Sequence, residues 1–332
     1  MPLTILDHDS EVLRGNPCGD PHQRELWVYT PPGYDDSDAH LPVLWCLPPY
    51  GKTGAEECVG TRWSPGLPER IDRLIAAGMP PVLVAFPDCF TRWGGSQYMN
   101  SAGTGRYEDY LCDELVPFVD AQFRTSGRRG AFGRSSGGYG ALRLSMRRPG
   151  QWHAVASISG DMGFELVYPS VFADAIARID ACGSLEAWVA QFEGREKMAG
   201  GDFAVVATIA MSACYSPDPD AAFGFAFPFD LRTGVTNPAI WGQWANHDPV
   251  RMIESADAAR ALASLDLLHL ECGTRDEERL HLGLRLFTER LAERAVPHEA
   301  EEFPDSHRSL YYRYDVSLPK LATALTHPPR HP

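Results

Sequence analysis

The sequence predicts an α/β fold: a mostly parallel central sheet flanked by helices, with an insertion or cap over the sheet's carboxyl edge. Three observations carry this reading. The runs 42–47 (PVLWCL) and 81–87 (PVLVAFP) are short and continuously apolar, which suits strands buried on both faces. Such runs alternate with segments of helical periodicity, which implies a parallel sheet covered on both sides. Residues 161–250 then break the alternation, and that stretch is too long for an ordinary connection.

Each element follows from its own residues. Residues 25–30 (ELWVYT) read as a strand stopped by Pro31-Pro32-Gly33. Strand 42–47 is closed by Pro48-Pro49, and strand 81–87 by Pro87-Asp88. Between them, 66–78 (GLPERIDRLIAAG) has helical periodicity and a terminal glycine. Residues 107–124 set Leu111, Leu115, Val119 and Phe123 at four-residue spacing, a helix with one apolar stripe. Residues 129–141 (RGAFGRSSGGYGA) read as a short strand running directly into a helix. Strands are expected at 154–159 and 266–271, and at 299–303, whose few apolar side chains fit a sheet edge. Residues 277–294 form an amphipathic helix, and the tail 326–332 reads as frayed. The units are therefore a first core part (20–160), an aromatic-rich insertion (161–250) and a second core part (251–320). The insertion's aromatics, among them Phe164, Tyr168, Phe172 and Phe225, are expected to form mostly a small secondary core, with a few lining a pocket.

Composition limits the function. The 332 residues are 44% apolar and 22% charged, enough for a folded core. The net charge is -14, and only Lys52, Lys197 and Lys320 are lysines, so no basic face for nucleic acid is expected. The first residues do not read as a signal peptide, and no window approaches 18 consecutive apolar residues. The eight cysteines are scattered and form no CxxC pair, which reads as reduced thiols and a cytoplasmic location.

The strongest local signal is Gly133-Arg134-Ser135-Ser136-Gly137, a G-x-S-x-G pattern between a strand and a good helix former. The chain must reverse so tightly there that only glycine fits beside the neighbouring strand. Ser135 would then project at a helix N-terminus, where developing negative charge is favoured. A serine hydroxyl needs a base, and the base an orienting acid. In this architecture the order is serine, acid, histidine. Strand 266–271 runs into Asp276, and strand 299–303 into His307, so these are the candidate acid and base. Asp161 and Glu277 are the rival acids, and Asp305 is too close to His307 in sequence to orient it. For the oxyanion hole, Ser136 offers the N–H after the nucleophile. The loop after 42–47 begins with two prolines, which have no N–H, so Tyr50 is the first donor there and Gly51 the fallback. No ligand spacing such as HExxH and no dinucleotide or phosphate glycine loop is present, so neither metal nor cofactor is expected.

These residues resemble the putative-esterase family of α/β-hydrolases, which includes esterase D (S-formylglutathione hydrolase), enterochelin esterases, feruloyl esterases and antigen 85-type mycolyltransferases. The matching pieces run in family order: LWVYTPPGY (26–34), LPPYG (47–51), FPDCFTRWGGSQYMNS (86–101), YEDYLCDELVPFVDAQF (107–123), GRSSGGYGAL (133–142) and CGTRDE (272–277), then the histidine loop. The resemblance implies an α/β-hydrolase fold and a serine hydrolase acting on a small carboxylic ester or thioester. In it Ser135 is the nucleophile, Asp276 the acid, His307 the base, and the amides of Tyr50 and Ser136 the oxyanion donors. The usual His-Gly or Asp-Gly start of the oxyanion loop is replaced by Pro-Pro. The insertion is the least family-like part; its Trp241 and Trp244 could reach the cleft, and with Gly51 and Arg134 they are the pocket candidates. The same residues would also serve an acyltransferase to an alcohol or sugar, or, without turnover, a binding protein that keeps the fold. The aromatic insertion favours an apolar or aromatic substrate, and a homodimer is the assembly expected.

Overall fold

The computed structural model describes residues 3–327 and contains ten strands among them. These are β1 (Leu3–Asp9), β2 (Gln23–Tyr29), β3 (Leu41–Leu47), β4 (Leu83–Pro87), β5 (Asn100–Ser101), β6 (Gly105–Arg106), β7 (Thr125–Arg134), β8 (Ala154–Ile158), β9 (Leu267–Gly273) and β10 (Glu299–Phe303). Eight form one sheet in the order β1-β2-β4-β3-β7-β8-β9-β10, and β5 pairs with β6 alone. β2 is antiparallel to β1 and to β4, and every pairing from β4 to β10 is parallel. This is the mostly parallel, helix-flanked sheet of an α/β-hydrolase fold.

The apolar runs sit where their composition sends them. β4 and β8 are buried at every residue, while β10, at the edge, exposes four of five. One face of the sheet packs Leu44, Cys46, Phe86 and Phe132 against Tyr314, Leu318 and Leu321 of the helix Tyr314–Thr326. The other face packs Val43, Trp45 and Leu47 against Tyr139 and Leu142 of the helix Ser136–Arg147.

Several elements depart from the sequence reading. β1 and the helix Tyr314–Thr326 were not foreseen. Of the tail expected to fray, Thr326 ends that helix and 328–332 lie outside the described residues. The 107–124 helix is π-helical over Tyr110–Leu115, where Val116 N–H bonds back to the Leu111 carbonyl, and Phe123 is extended beyond its end. No helix among the described residues is long and apolar enough to cross a membrane.

Residues 161–250 form mainly helices, including Pro169–Asp180, Leu185–Glu193, Asp202–Tyr215 and Pro238–Ala245. They lie beside the loops that follow β3 and β4. Phe203 meets the Tyr50 ring edge-on at 5.7 Å, and the Ser101 hydroxyl donates to the Ala213 carbonyl at 2.6 Å. Their aromatics do not make a separate core. Phe164, Tyr168, Phe172, Tyr215 and Trp244 belong to the same buried cluster as Val43 and Trp45 of the sheet.

Candidate active site

β7 ends in a turn that brings three backbones into contact. A Cβ on Gly133 would lie 2.4 Å from the Leu47 carbonyl oxygen, and one on Gly137 only 1.9 Å from it. Glycine at both positions is what lets β7 and the following helix pass the end of β3. Between them Ser135 takes φ 54° and ψ -130°, and its N–H donates to the Ile158 carbonyl at 2.9 Å. The turn therefore holds a non-glycine residue in strained backbone and lifts its side chain above the sheet.

The parallel ladder of β9 and β10 continues into the next two loops. Thr274 N–H donates to the Phe303 carbonyl and Arg275 N–H to the Asp305 carbonyl, at 2.8 and 2.9 Å. A Cβ on Gly273 would lie 2.4 Å from that Asp305 oxygen, so glycine permits this crossing too. The ladder carries Asp276 to His307. His307 Nδ1 lies 2.8 Å from Asp276 Oδ2, and His307 Nε2 lies 3.1 Å from Ser135 Oγ. With Nδ1–H donated to the carboxylate, Nε2 is free to accept the serine proton.

The two titrating groups reinforce one another. Burial by itself would raise Asp276, but the His307 hydrogen bond and charge, the Ser159 hydroxyl and the Leu280 N–H outweigh it and hold the carboxyl below its ordinary value. Burial would lower His307, but the Asp276 hydrogen bond and charge, with the charges of Asp161 and Glu278, raise it above 6.5. Glu277 accepts the backbone N–H of His307 at 2.7 Å, so it holds the loop and not the imidazole. Asp305 takes the Ser306 N–H and the Tyr312 hydroxyl.

In the loop after β3, Gly51 N–H donates to the Gly94 carbonyl at 2.9 Å and Lys52 N–H to the Pro49 carbonyl at 3.2 Å. Tyr50 N–H is the one left without a partner in that loop, and Gly51, the fallback donor, is occupied. The Tyr50 side chain is fixed by its hydroxyl on the Trp93 carbonyl at 2.6 Å. Tyr98, itself at φ 52°, donates to the Pro48 carbonyl and steadies the loop from below.

The remaining pocket candidates lie elsewhere. Trp244 is fully buried, and its indole N–H donates to the Ser216 hydroxyl at 2.8 Å, so it belongs to the core and does not line a cleft. The reason is aromatic packing: Tyr168, Phe172 and Tyr215 surround it at 5.3 to 5.6 Å. Trp241 is half-buried, stacked on Trp244 at 6.0 Å. Arg134 lies over the Tyr311 ring at 4.4 Å and lines a cavity of about 590 Å³ with Lys52, Glu57 and Trp63.

Sequence reasoning missed Gln97. Its Nε2 donates to Tyr215 at 2.9 Å and to Asp161 at 3.2 Å. The glycines at 94 and 95 were the signal in the sequence, and the left-handed backbone at Gln97 and Tyr98 shows only in the structure.

A strand-turn-helix serine, a histidine on it and a buried carboxylate on the histidine define a serine hydrolase of the α/β-hydrolase class. The chain belongs to the Esterase family, described as Putative esterase, which matches residues 21–320, and is a carboxylic-ester hydrolase. Solved structures share the fold. A ferulic acid esterase aligns at 18% identity and TM-score 0.62, covering 98% of each chain. An S-formylglutathione hydrolase from Agrobacterium tumefaciens aligns at 17% and 0.58, covering 97% of this chain and 95% of that one. The fluorophosphonate-binding serine hydrolase F of Staphylococcus aureus aligns at 17% and 0.59, covering 98% of each.

Proposed function

We propose that the protein hydrolyses a small carboxylic ester or thioester through an acyl-enzyme on Ser135, with His307 as base and Asp276 as its orienting acid. The observation that carries this reading is the continuous contact from Ser135 Oγ through His307 to Asp276, at 3.1 and 2.8 Å. His307 Nε2 takes the serine proton as Oγ attacks the carbonyl carbon. The N–H groups of Tyr50 and Ser136 receive the oxyanion. His307 then gives its proton to the leaving oxygen or sulfur as that bond breaks. Water, deprotonated by His307, attacks the acyl-enzyme and releases the acid and Ser135. Asp276 holds the imidazole tautomer and stabilises imidazolium, and does not itself take the proton.

Residues 161–250 act in this reading as the cap that selects the substrate, supported by the contact of Phe203 with Tyr50. The location is cytoplasmic, consistent with eight free cysteines, and the assembly a homodimer, which light scattering on the purified protein would check. The central test is turnover of p-nitrophenyl esters from acetate to decanoate by wild type and Ser135→Ala. Loss of about 10⁴-fold or more in kcat is expected. Equal turnover by the variant would overturn the assignment.

A further inference from the structure

Four of the seven non-glycine residues with left-handed backbone among those described lie on the loops following β4, β7 and β8: Gln97, Tyr98, Ser135 and Ser159. Strain of this kind persists where surrounding structure imposes it, and it concentrates at functional sites. These loops enclose a carboxylate, Asp161, whose charge acts on His307 but which makes no bond to the reacting groups in the ester chemistry above.

Asp161 is 7% exposed. Its Oδ2 accepts from Gln97 Nε2 at 3.2 Å, the Tyr168 hydroxyl at 3.3 Å and the Ser136 hydroxyl at 3.4 Å. All three donors are uncharged, and the charge that acts on it most is that of His307. Its Oδ1 has no partner among the described residues, and it is not one of the sealed interior atoms, so it opens on accessible space. Gln97 Oε1, on a residue only 1% exposed, is sealed and also without a partner. Burial pushes the Asp161 carboxyl above its ordinary value, and the His307 charge is the largest influence opposing that rise. Gln97 lines a cavity of about 10 Å³ with Ser136 and Tyr50, the two oxyanion donors, and Asp161 reaches that group through its contacts with Gln97 and Ser136. Asp161 Oδ1 is thus an unused acceptor that opens beside the nucleophile, while Gln97 Oε1 is an unused acceptor enclosed in the same cluster. An interior acceptor left empty is costly, and a site built to hold a donor rejects analogues that lack one.

Resting on the ester-hydrolase reading, we propose that Asp161, with Gln97, is a specificity site for a hydrogen-bond donor, a hydroxyl or ammonium, that the substrate carries within a few bonds of its scissile carbonyl. The substrate class is then hydroxy- or amino-substituted esters in preference to plain alkyl esters. Ser136 joins the two functions: its N–H serves the oxyanion and its hydroxyl serves Asp161.

The test compares kcat/KM, by pH-stat titration, for methyl butyrate, methyl 3-hydroxybutyrate, methyl 3-aminobutyrate and 2-hydroxyethyl butyrate. Wild type is expected to favour at least one donor-bearing ester over methyl butyrate by about tenfold or more. Asp161→Asn is expected to lower that ratio, most for the ammonium ester, because a neutral amide has no negative charge to attract the cation. The ratio is internal to each variant, so a general loss of activity does not mimic the effect. Should Asp161→Asn fail to fold, the same comparison on Gln97→Leu decides, with a reduced ratio expected. Ser135-dependent hydrolysis of all four esters at equal efficiency would overturn this inference and leave the ester reading standing. So would a preference that the variants leave unchanged. No Ser135-dependent turnover of any ester would overturn both.

Discussion

Ser135 is held at φ 54° by its neighbours, and the crowding at Gly137 measures how firmly. A methyl group there would meet the Leu47 carbonyl at 1.9 Å, and backbone cannot move aside as a flexible side chain can. Gly137→Ala is therefore expected to abolish turnover and to lower the melting temperature, both measured on the same purified variant. The base makes a second prediction. His307 must be neutral to accept the proton, and its pKa lies above 6.5 in the folded enzyme. Activity should accordingly fall on the acid side with a midpoint above 6.5, read from kcat/KM against pH. Asp276→Asn removes the carboxylate that raises it, and kcat should drop by about 10⁴-fold with the acid midpoint moving down. That Ser135, Asp276 and His307 would meet was legible because a glycine pattern and chain order mark them, and the three side chains are in contact. That Tyr50 carries the first N–H of the loop after β3 was legible because proline has none, and that N–H has no partner among the described residues. Asp161 was visible only as a rival acid for His307. Its actual partners come from residues 97, 136 and 168, and no spacing rule connects those.

At the scale of elements, two aspartates hold the insertion together. Asp202 accepts from Arg178 at 2.8 Å, Trp188 at 3.0 Å, the Ala199 N–H at 2.7 Å, and Arg195, so it ties three successive helices. Burial alone would raise its pKa, but these donors bring it down to about 2 from 3.8. A depressed carboxyl pKa contributes stability that is present above the unfolded value and lost as pH falls toward the folded one. The contribution is about 2 kcal/mol, lost between pH 3.8 and about 2. Asp202→Asn should lower the melting temperature at pH 7, and its melting temperature should depend less on pH below 4 than that of wild type. Asp248 joins the insertion's two ends, accepting from Gly163 N–H at 3.0 Å and Phe164 N–H at 2.7 Å. The helix at 107–124 shows the limit of periodicity. Its buried residues Leu111, Leu115 and Val119 fit one stripe, but their spacing could not reveal the π-turns between them. The helix Tyr314–Thr326 was missed because Pro319 lies inside it, which reads as a break, and packing against the sheet overrides that local preference.

For the whole molecule, the insertion and the sheet share one buried cluster, from Trp45 through Tyr139 and Tyr215 to Trp244. Calorimetry should therefore record a single unfolding transition, and two resolved transitions would show that the insertion melts alone. Trp244→Ala should destabilise by about 3–5 kcal/mol while leaving the ester chain-length preference unchanged, by chemical denaturation and the p-nitrophenyl series. The sequence by itself determined the sheet's buried strands, the elbow serine and the chain order of acid and base. Those depend on local causes: continuous apolarity, glycine where backbones touch, and loops that follow parallel strands on one edge. Only the tertiary structure decided that the insertion's aromatics join the main core, that Trp244 is buried, and that Asp161 and Gln97 meet beside Ser136. Such contacts join segments far apart in the chain, and their geometry is set by how whole elements pack, which no local pattern records.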